Sequence, residues 1–188
     1  MVTVYTFDIL KQKRIRVDYM RKILSRGLLA LYLVTLIWLV LFKFSFNISK
    51  VLDHHHRSLN LIPFAAPSIV NGKINFDEMI YNCLFFIPFG LLLNVNFKKV
   101  GFLPKFIFIL IFSLTAELIQ FIFAIGATDI TDVITNTLGG FLGLKLYDLG
   151  NKFINNEKLD KFIISIGAVL FVIFISMHVS HFALRLRR

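Results

Sequence analysis

Acidic and amide side chains recur on one predicted helix face in the second half of the chain. Asp129, Asp132, Asn136, Gly139 and Gly143 follow one another at steps of three and four residues, the spacing of a single face of an α-helix. The two acids fall in the first turn, where the helix dipole favours negative charge. Such a pair can cap the helix, accept hydrogen bonds from a ligand or hold a divalent cation.

Two other apolar stretches carry polar residues with helical spacing. Ser113, Glu117 and Gln120 share one face, and Asn82 lies four residues before Phe86. A charged side chain at bilayer depth costs about 2.5–3.5 kcal/mol and normally faces the interior of a helix bundle. We therefore expect the three faces to meet.

The predicted meeting point is a polar pocket in the outer half of the membrane. Its span residues are Asn82, Glu117, Gln120, Asp129, Asp132 and Asn136. Arg57 and Asn60, from the preceding polar loop, are expected to close over it. For the acids the competing interpretation is helix capping, and for the asparagines it is hydrogen bonding between helices.

Composition indicates what must hold these residues in place. Of the 188 residues 57% are hydrophobic, the mean hydropathy is +0.75, and the apolar residues are grouped into blocks long enough to cross a bilayer. The sequence predicts an all-α, polytopic helical membrane protein with about five transmembrane helices. The predicted spans are residues 27–46, 79–97, 102–123, 129–147 and 161–183.

Basic residues predict how the chain is oriented. The net charge is +10, and the N-terminal 26 residues contain seven Lys or Arg against two Asp. By the positive-inside rule this segment stays in the cytoplasm, and the charge is expected to meet lipid headgroups, with no nucleic-acid partner. The predicted divisions are a basic segment 1–26, a membrane domain 27–147 with an external loop 47–77, a cytoplasmic loop 148–160, and a fifth helix with a basic tail, 161–188.

Metal and thiol chemistry receive little support from the sequence. His54, His55 and His56 are adjacent and point in different directions, so we expect no metal site there. Asp129 and Asp132 are the weak metal candidates that remain, and no cofactor is expected. Cys83 is the only cysteine, which excludes an intramolecular disulfide.

The residues singled out above also carry a family resemblance: the chain resembles the VanZ-like membrane proteins over residues 27–147. The resemblance rests on Arg57 with Asn60, Leu61, Ile62, Pro63 and Phe64; on Asn82 with Phe86, Pro88 and Gly90; and on Glu117 and Gln120 followed by Asp129, Asp132, Asn136, Gly139 and Gly143. Many relatives carry an arginine shortly before the first aspartate of the last block, where this chain reads Ile125 to Thr128. An anion-binding role for that arginine is therefore not carried over.

The resemblance implies a multi-pass protein of the bacterial cell membrane. The family is named for an enterococcal accessory protein of teicoplanin resistance, so the resemblance implies a contribution to that resistance. From the polar pocket, our first hypothesis is binding of a lipid-linked cell-envelope glycan or of a lipoglycopeptide at the outer leaflet. Two alternatives stay open. One is an intramembrane enzyme acting on a lipid headgroup, with Glu117 as general acid or base and a cation on Asp129 and Asp132; the other is a small transporter or flippase. The oligomeric state is not predicted.

Overall fold

The computed structural model describes residues 2–42, 58–64, 68–70, 73–125 and 127–186. These residues contain five helices: α1 (Val2–Leu41), α2 (Asp77–Asn96), α3 (Phe102–Phe123), α4 (Ile130–Phe153) and α5 (Asn156–Leu186). Within the described part, four segments are long and apolar enough to cross a membrane: Lys11–Leu41, Asp77–Asn96, Phe102–Phe123 and Asn156–Met177. The prediction of an all-α, polytopic membrane fold is confirmed. Helix α4, which was also predicted to span, is not among these four segments.

Helix α1 continues without a break through residue 26, where the sequence predicted the end of the basic segment. Its 40 residues correspond to about 60 Å at 1.5 Å per residue, roughly twice the hydrocarbon thickness of a bilayer. The basic half of α1 is therefore long enough to extend well beyond the membrane while its apolar half crosses it.

Helices α2 and α4 run parallel and pack closely through glycine. Asn82 bonds to Asp132, and twelve residues further along each helix Asn94 bonds to the carbonyl of Leu144. A Cβ atom on Gly143 would lie 2.1 Å from the carbonyl oxygen of Ile87. The absence of side chains at such positions lets the two backbones touch.

Phenylalanine and aliphatic side chains fill the core beside this contact. Phe86 and Phe89 are fully buried and meet edge to face, with ring centroids 6.0 Å apart. Phe112 of α3 packs against both rings, at centroid distances of 6.0 and 5.2 Å. Leu36 of α1 and Ile109 of α3 belong to the same cluster. The core therefore joins α1, α2 and α3 around the glycine contact with α4.

Short strands lie at one end of the bundle. β1 (Ser58–Asn60) pairs in parallel with β4 (Ala127–Asp129), and β2 (Ser68–Val70) pairs antiparallel with β3 (Lys73–Asn75). We call the end where β1 meets β4, between the end of α3 and the start of α4, the strand end. The opposite end, where α2 leads into α3 through Lys98 and Lys99, is the basic end.

Candidate functional site

The β1–β4 pair places Asn60 opposite Asp129 at the strand end. The register of the two strands aligns these residues, and Asn60 Nδ2 donates to Asp129 Oδ2 at 3.1 Å. The other carboxylate oxygen of Asp129 accepts from the backbone N–H of Thr131 at 2.7 Å, which caps the start of α4. The side chain of Asp129 therefore both caps α4 and bonds to Asn60 of β1.

Glu117 of α3 joins this cluster from below. Its carboxylate accepts the backbone N–H of Asp129 at 3.0 Å, and its own carbonyl accepts the hydroxyl of Thr128 at 3.3 Å. Glu117 is only 3% exposed, whereas Asn60 and Asp129 are half-buried. The buried Glu117 thus holds β4, the strand that carries the more accessible carboxylate of Asp129.

Asp132 and Asn136 connect α4 to the other two polar faces. Asn82 Nδ2 donates to Asp132 Oδ1 at 2.8 Å, and both side chains are buried. One turn deeper, Asn136 Nδ2 donates to the hydroxyl of Ser113 at 3.0 Å. The three polar faces predicted from helical spacing do come together on α4.

Gln120 has a different partner from the one its position suggested. Its side-chain amide donates to the carbonyls of Val40 at 2.9 Å and Leu41 at 3.4 Å, in the last turn of α1. Carbonyls at the end of a helix lack helical partners, and Gln120 supplies one. Arg57 and the three adjacent histidines lie outside the described residues.

Two buried acceptors at this end have no hydrogen-bond partner within the described part of the chain. They are Asn136 Oδ1 and Gln120 Oε1, and both side chains are fully buried. An unsatisfied buried acceptor costs about 1–3 kcal/mol, so packing alone does not account for amides at these positions.

The carboxylates are arranged as hydrogen-bond acceptors with separate partners. Asp129 accepts from Asn60 and from the α4 backbone, while Asp132 accepts from Asn82. Among the described residues, no group of three or more His, Cys, Asp or Glu side chains could hold a metal ion. What this arrangement can do directly is accept hydrogen bonds from hydroxyl, amide or ammonium groups at the rim.

A second polar cluster, at the basic end, was not predicted as a site. Lys105 Nζ donates to Asn94 Oδ1 at 2.6 Å, and Asn94 Nδ2 lies 3.3 Å from Asp148 Oδ1. Beside it, Asp160 accepts from Lys98 at 2.5 Å and from the hydroxyl of Tyr147 at 2.7 Å. The lysines were interpreted only as markers of sidedness; the available signal was Asn94, an amide late in an apolar stretch.

Comparison with known proteins places this chain in a family. Residues 29–151 match the VanZ/LLP1 family. The protein named Protein VanZ from Enterococcus faecium is 69% identical over 154 residues, which amount to 82% of this chain and 92% of that relative. No solved structure matches the chain. The chain belongs to the VanZ/LLP1 family.

Proposed function

We propose that this chain binds a lipid-linked cell-envelope molecule, or a lipid-tailed glycopeptide, at its strand end and so contributes to teicoplanin-type resistance in a bacterial membrane. The observation that carries the proposal is the half-buried Asn60–Asp129 pair above the buried carboxylate of Glu117. Carboxylate oxygens accept hydrogen bonds from sugar hydroxyls, peptide amides and ammonium groups, all of which such ligands carry.

Apolar side chains beside the pair favour an amphiphilic ligand. Leu61, Ile62 and Phe64 directly follow Asn60, and more than half of each side chain surface is exposed. The backbone N–H of Phe64 donates to the hydroxyl of Thr131 at 3.1 Å, which ties this short segment to α4. Acceptors next to exposed apolar groups suit a molecule with a polar head and a lipid tail.

The proposal requires the strand end to face outward. The basic half of α1 and the lysines between α2 and α3 then lie on the cytoplasmic side, in agreement with the positive-inside rule. Outer-leaflet glycan carriers and glycopeptide antibiotics reach only that outward face.

The test compares carboxylate-to-amide variants in a sensitive host expressing the full chain at matched membrane levels. Glu117→Gln removes the charge and keeps an oxygen that can accept the N–H of Asp129. Asp129→Asn removes the charge and keeps one oxygen that can accept the N–H of Thr131, but its new amide group cannot accept from Asn60. Asp148→Asn is the matched control, because Asp148 also lies on α4 and also accepts from an asparagine of α2, but at the basic end. Susceptibility to teicoplanin and to vancomycin is measured for each.

The proposal predicts that expression of the unaltered chain lowers teicoplanin susceptibility by more than one step of the dilution series. Vancomycin susceptibility should change less. Asp129→Asn should lose most of the effect, and Asp148→Asn should keep it. Equal loss in the strand-end variants and the control, at equal membrane levels, would contradict a role for the strand end.

A further inference from the structure

A recess with basic walls lies at the basic end, away from the strand end. Its volume is about 560 Å³, and it is bounded by α1, the α2–α3 connection and the start of α5. Four exposed basic residues line it: Lys98, which is paired with Asp160, and Lys22, Arg26 and Lys99. The recess is therefore basic and lies between three segments that are far apart in sequence.

The acids that line the recess already have cationic partners. Asp160 is buried and paired with Lys98. Glu157 lies 3.8 Å from Arg14 and 3.9 Å from Arg21. The ion pairs of Asp160 and Glu157 therefore involve none of Lys22, Arg26 and Lys99, whose positive charge remains available to a ligand.

Two polar atoms of recess-lining residues have no hydrogen-bond partner in the described ranges. They are Arg21 Nη1, a donor that lies 3.9 Å from Glu157 Oε2, beyond hydrogen-bond distance, and Asn96 Oδ1, an acceptor; both atoms are buried. A headgroup with a phosphate and a hydroxyl offers the complementary acceptor and donor.

An apolar groove adjoins the recess on the same three helices. Its volume is about 530 Å³, and the lining residues nearest the recess are Leu28 of α1, Leu92 of α2 and Phe162 of α5. The recess extends to Arg26, Val95 and Ile164 of those helices, so the two sites adjoin within one helical turn. A cationic recess followed by an apolar groove at bilayer depth has the polarity of a phospholipid, headgroup first and acyl chain second.

We propose that the basic end holds one anionic glycerophospholipid, with its phosphate among Lys22, Arg26 and Lys99 and an acyl chain in the groove between α1, α2 and α5. This site is independent of the function proposed for the strand end. The lipid would join the N-terminal helix to α5, two elements at opposite ends of the sequence.

The test uses the purified full-length chain in detergent, titrated with phosphatidylglycerol or with phosphatidylcholine of the same acyl chains. Bound lipid is counted by native mass spectrometry. The variant is Arg26→Gln with Lys99→Gln. The control is Lys152→Gln with Lys158→Gln, which removes the same charge from exposed positions that do not line the recess.

Each Lys or Arg near an anionic headgroup contributes about fivefold in affinity, so the double variant should bind phosphatidylglycerol about 25-fold more weakly. The control should bind like the unaltered chain, and deacylated glycerophosphoglycerol should compete poorly because it cannot fill the groove. Equal retention of both lipids, or equal loss in variant and control, would overturn the headgroup site. Full competition by the deacylated compound would overturn the acyl groove.

Discussion

Replacing Gly143 by alanine adds one methyl group where α2 and α4 are in backbone contact. The new Cβ would lie 2.1 Å from the carbonyl oxygen of Ile87 and 3.0 Å from Cα of Gly90. Both neighbours are backbone atoms of a helix, so no side-chain rotation can relieve the overlap. The helices must separate by about 1.3 Å to restore the ordinary contact distance of 3.4 Å.

The expected cost follows from two opposing effects. Overpacking a well-packed interior costs typically about 1–3 kcal/mol, and contact with rigid backbone atoms of α2 places Gly143→Ala at the upper end. Alanine gains up to about 1 kcal/mol over glycine in a helix. We therefore expect the free energy of unfolding to fall by about 2 kcal/mol.

The control is Gly27→Ala, because a Cβ on Gly27 of α1 would have no atom within 4 Å. It gains helix propensity without overpacking, so its stability should stay equal or rise. Both variants are compared by far-UV circular dichroism during unfolding with increasing sodium dodecyl sulfate in mixed micelles. If Gly143→Ala were as stable as Gly27→Ala, the close approach of α2 and α4 would be refuted.

Two further outcomes are expected. Tyr32→Phe removes the hydroxyl that donates to the carbonyl of Phe85, so the same unfolding assay should show a loss of about 1 kcal/mol, and an unchanged stability would argue against this bond between α1 and α2. In a Cys83→Ala background, Leu61→Cys at the strand end should react with a membrane-impermeant maleimide on intact cells, and Asn155→Cys between α4 and α5 should not, since both positions are exposed but the proposal places them on opposite sides. The reverse labelling pattern would invert the proposed orientation.

Helical spacing was sufficient to predict which faces of the polar spans would meet. Asp132 and Asn136 are four residues apart, and they bond to Asn82 of α2 and Ser113 of α3, the residues that spacing had placed on the facing surfaces. The reason is that lipid tails form no hydrogen bonds, so polar side chains in neighbouring spans find their hydrogen-bond partners on one another.

Helical spacing could not predict hydrogen bonds to partners outside the three polar faces. Gln120 shares a face with Glu117 but bonds to the end of α1, because the carbonyls of a helix terminus need a donor wherever the fold brings one. The Asn94–Lys105–Asp148 cluster was missed for a related reason. A lysine near the end of a span is equally compatible with reaching the lipid surface and with a buried partner.

The parallel pairing of β1 with β4 has a consequence for how the chain is made. Asn60 is synthesised 69 residues before its strand partner Asp129, with α2 and α3 in between. At a translation rate of about 5–20 residues per second, β1 waits roughly 3–14 s for that partner. The Asn60–Asp129 contact is therefore absent from any nascent chain that ends before β4, and the strand end can be completed only after both intervening helices have been synthesised.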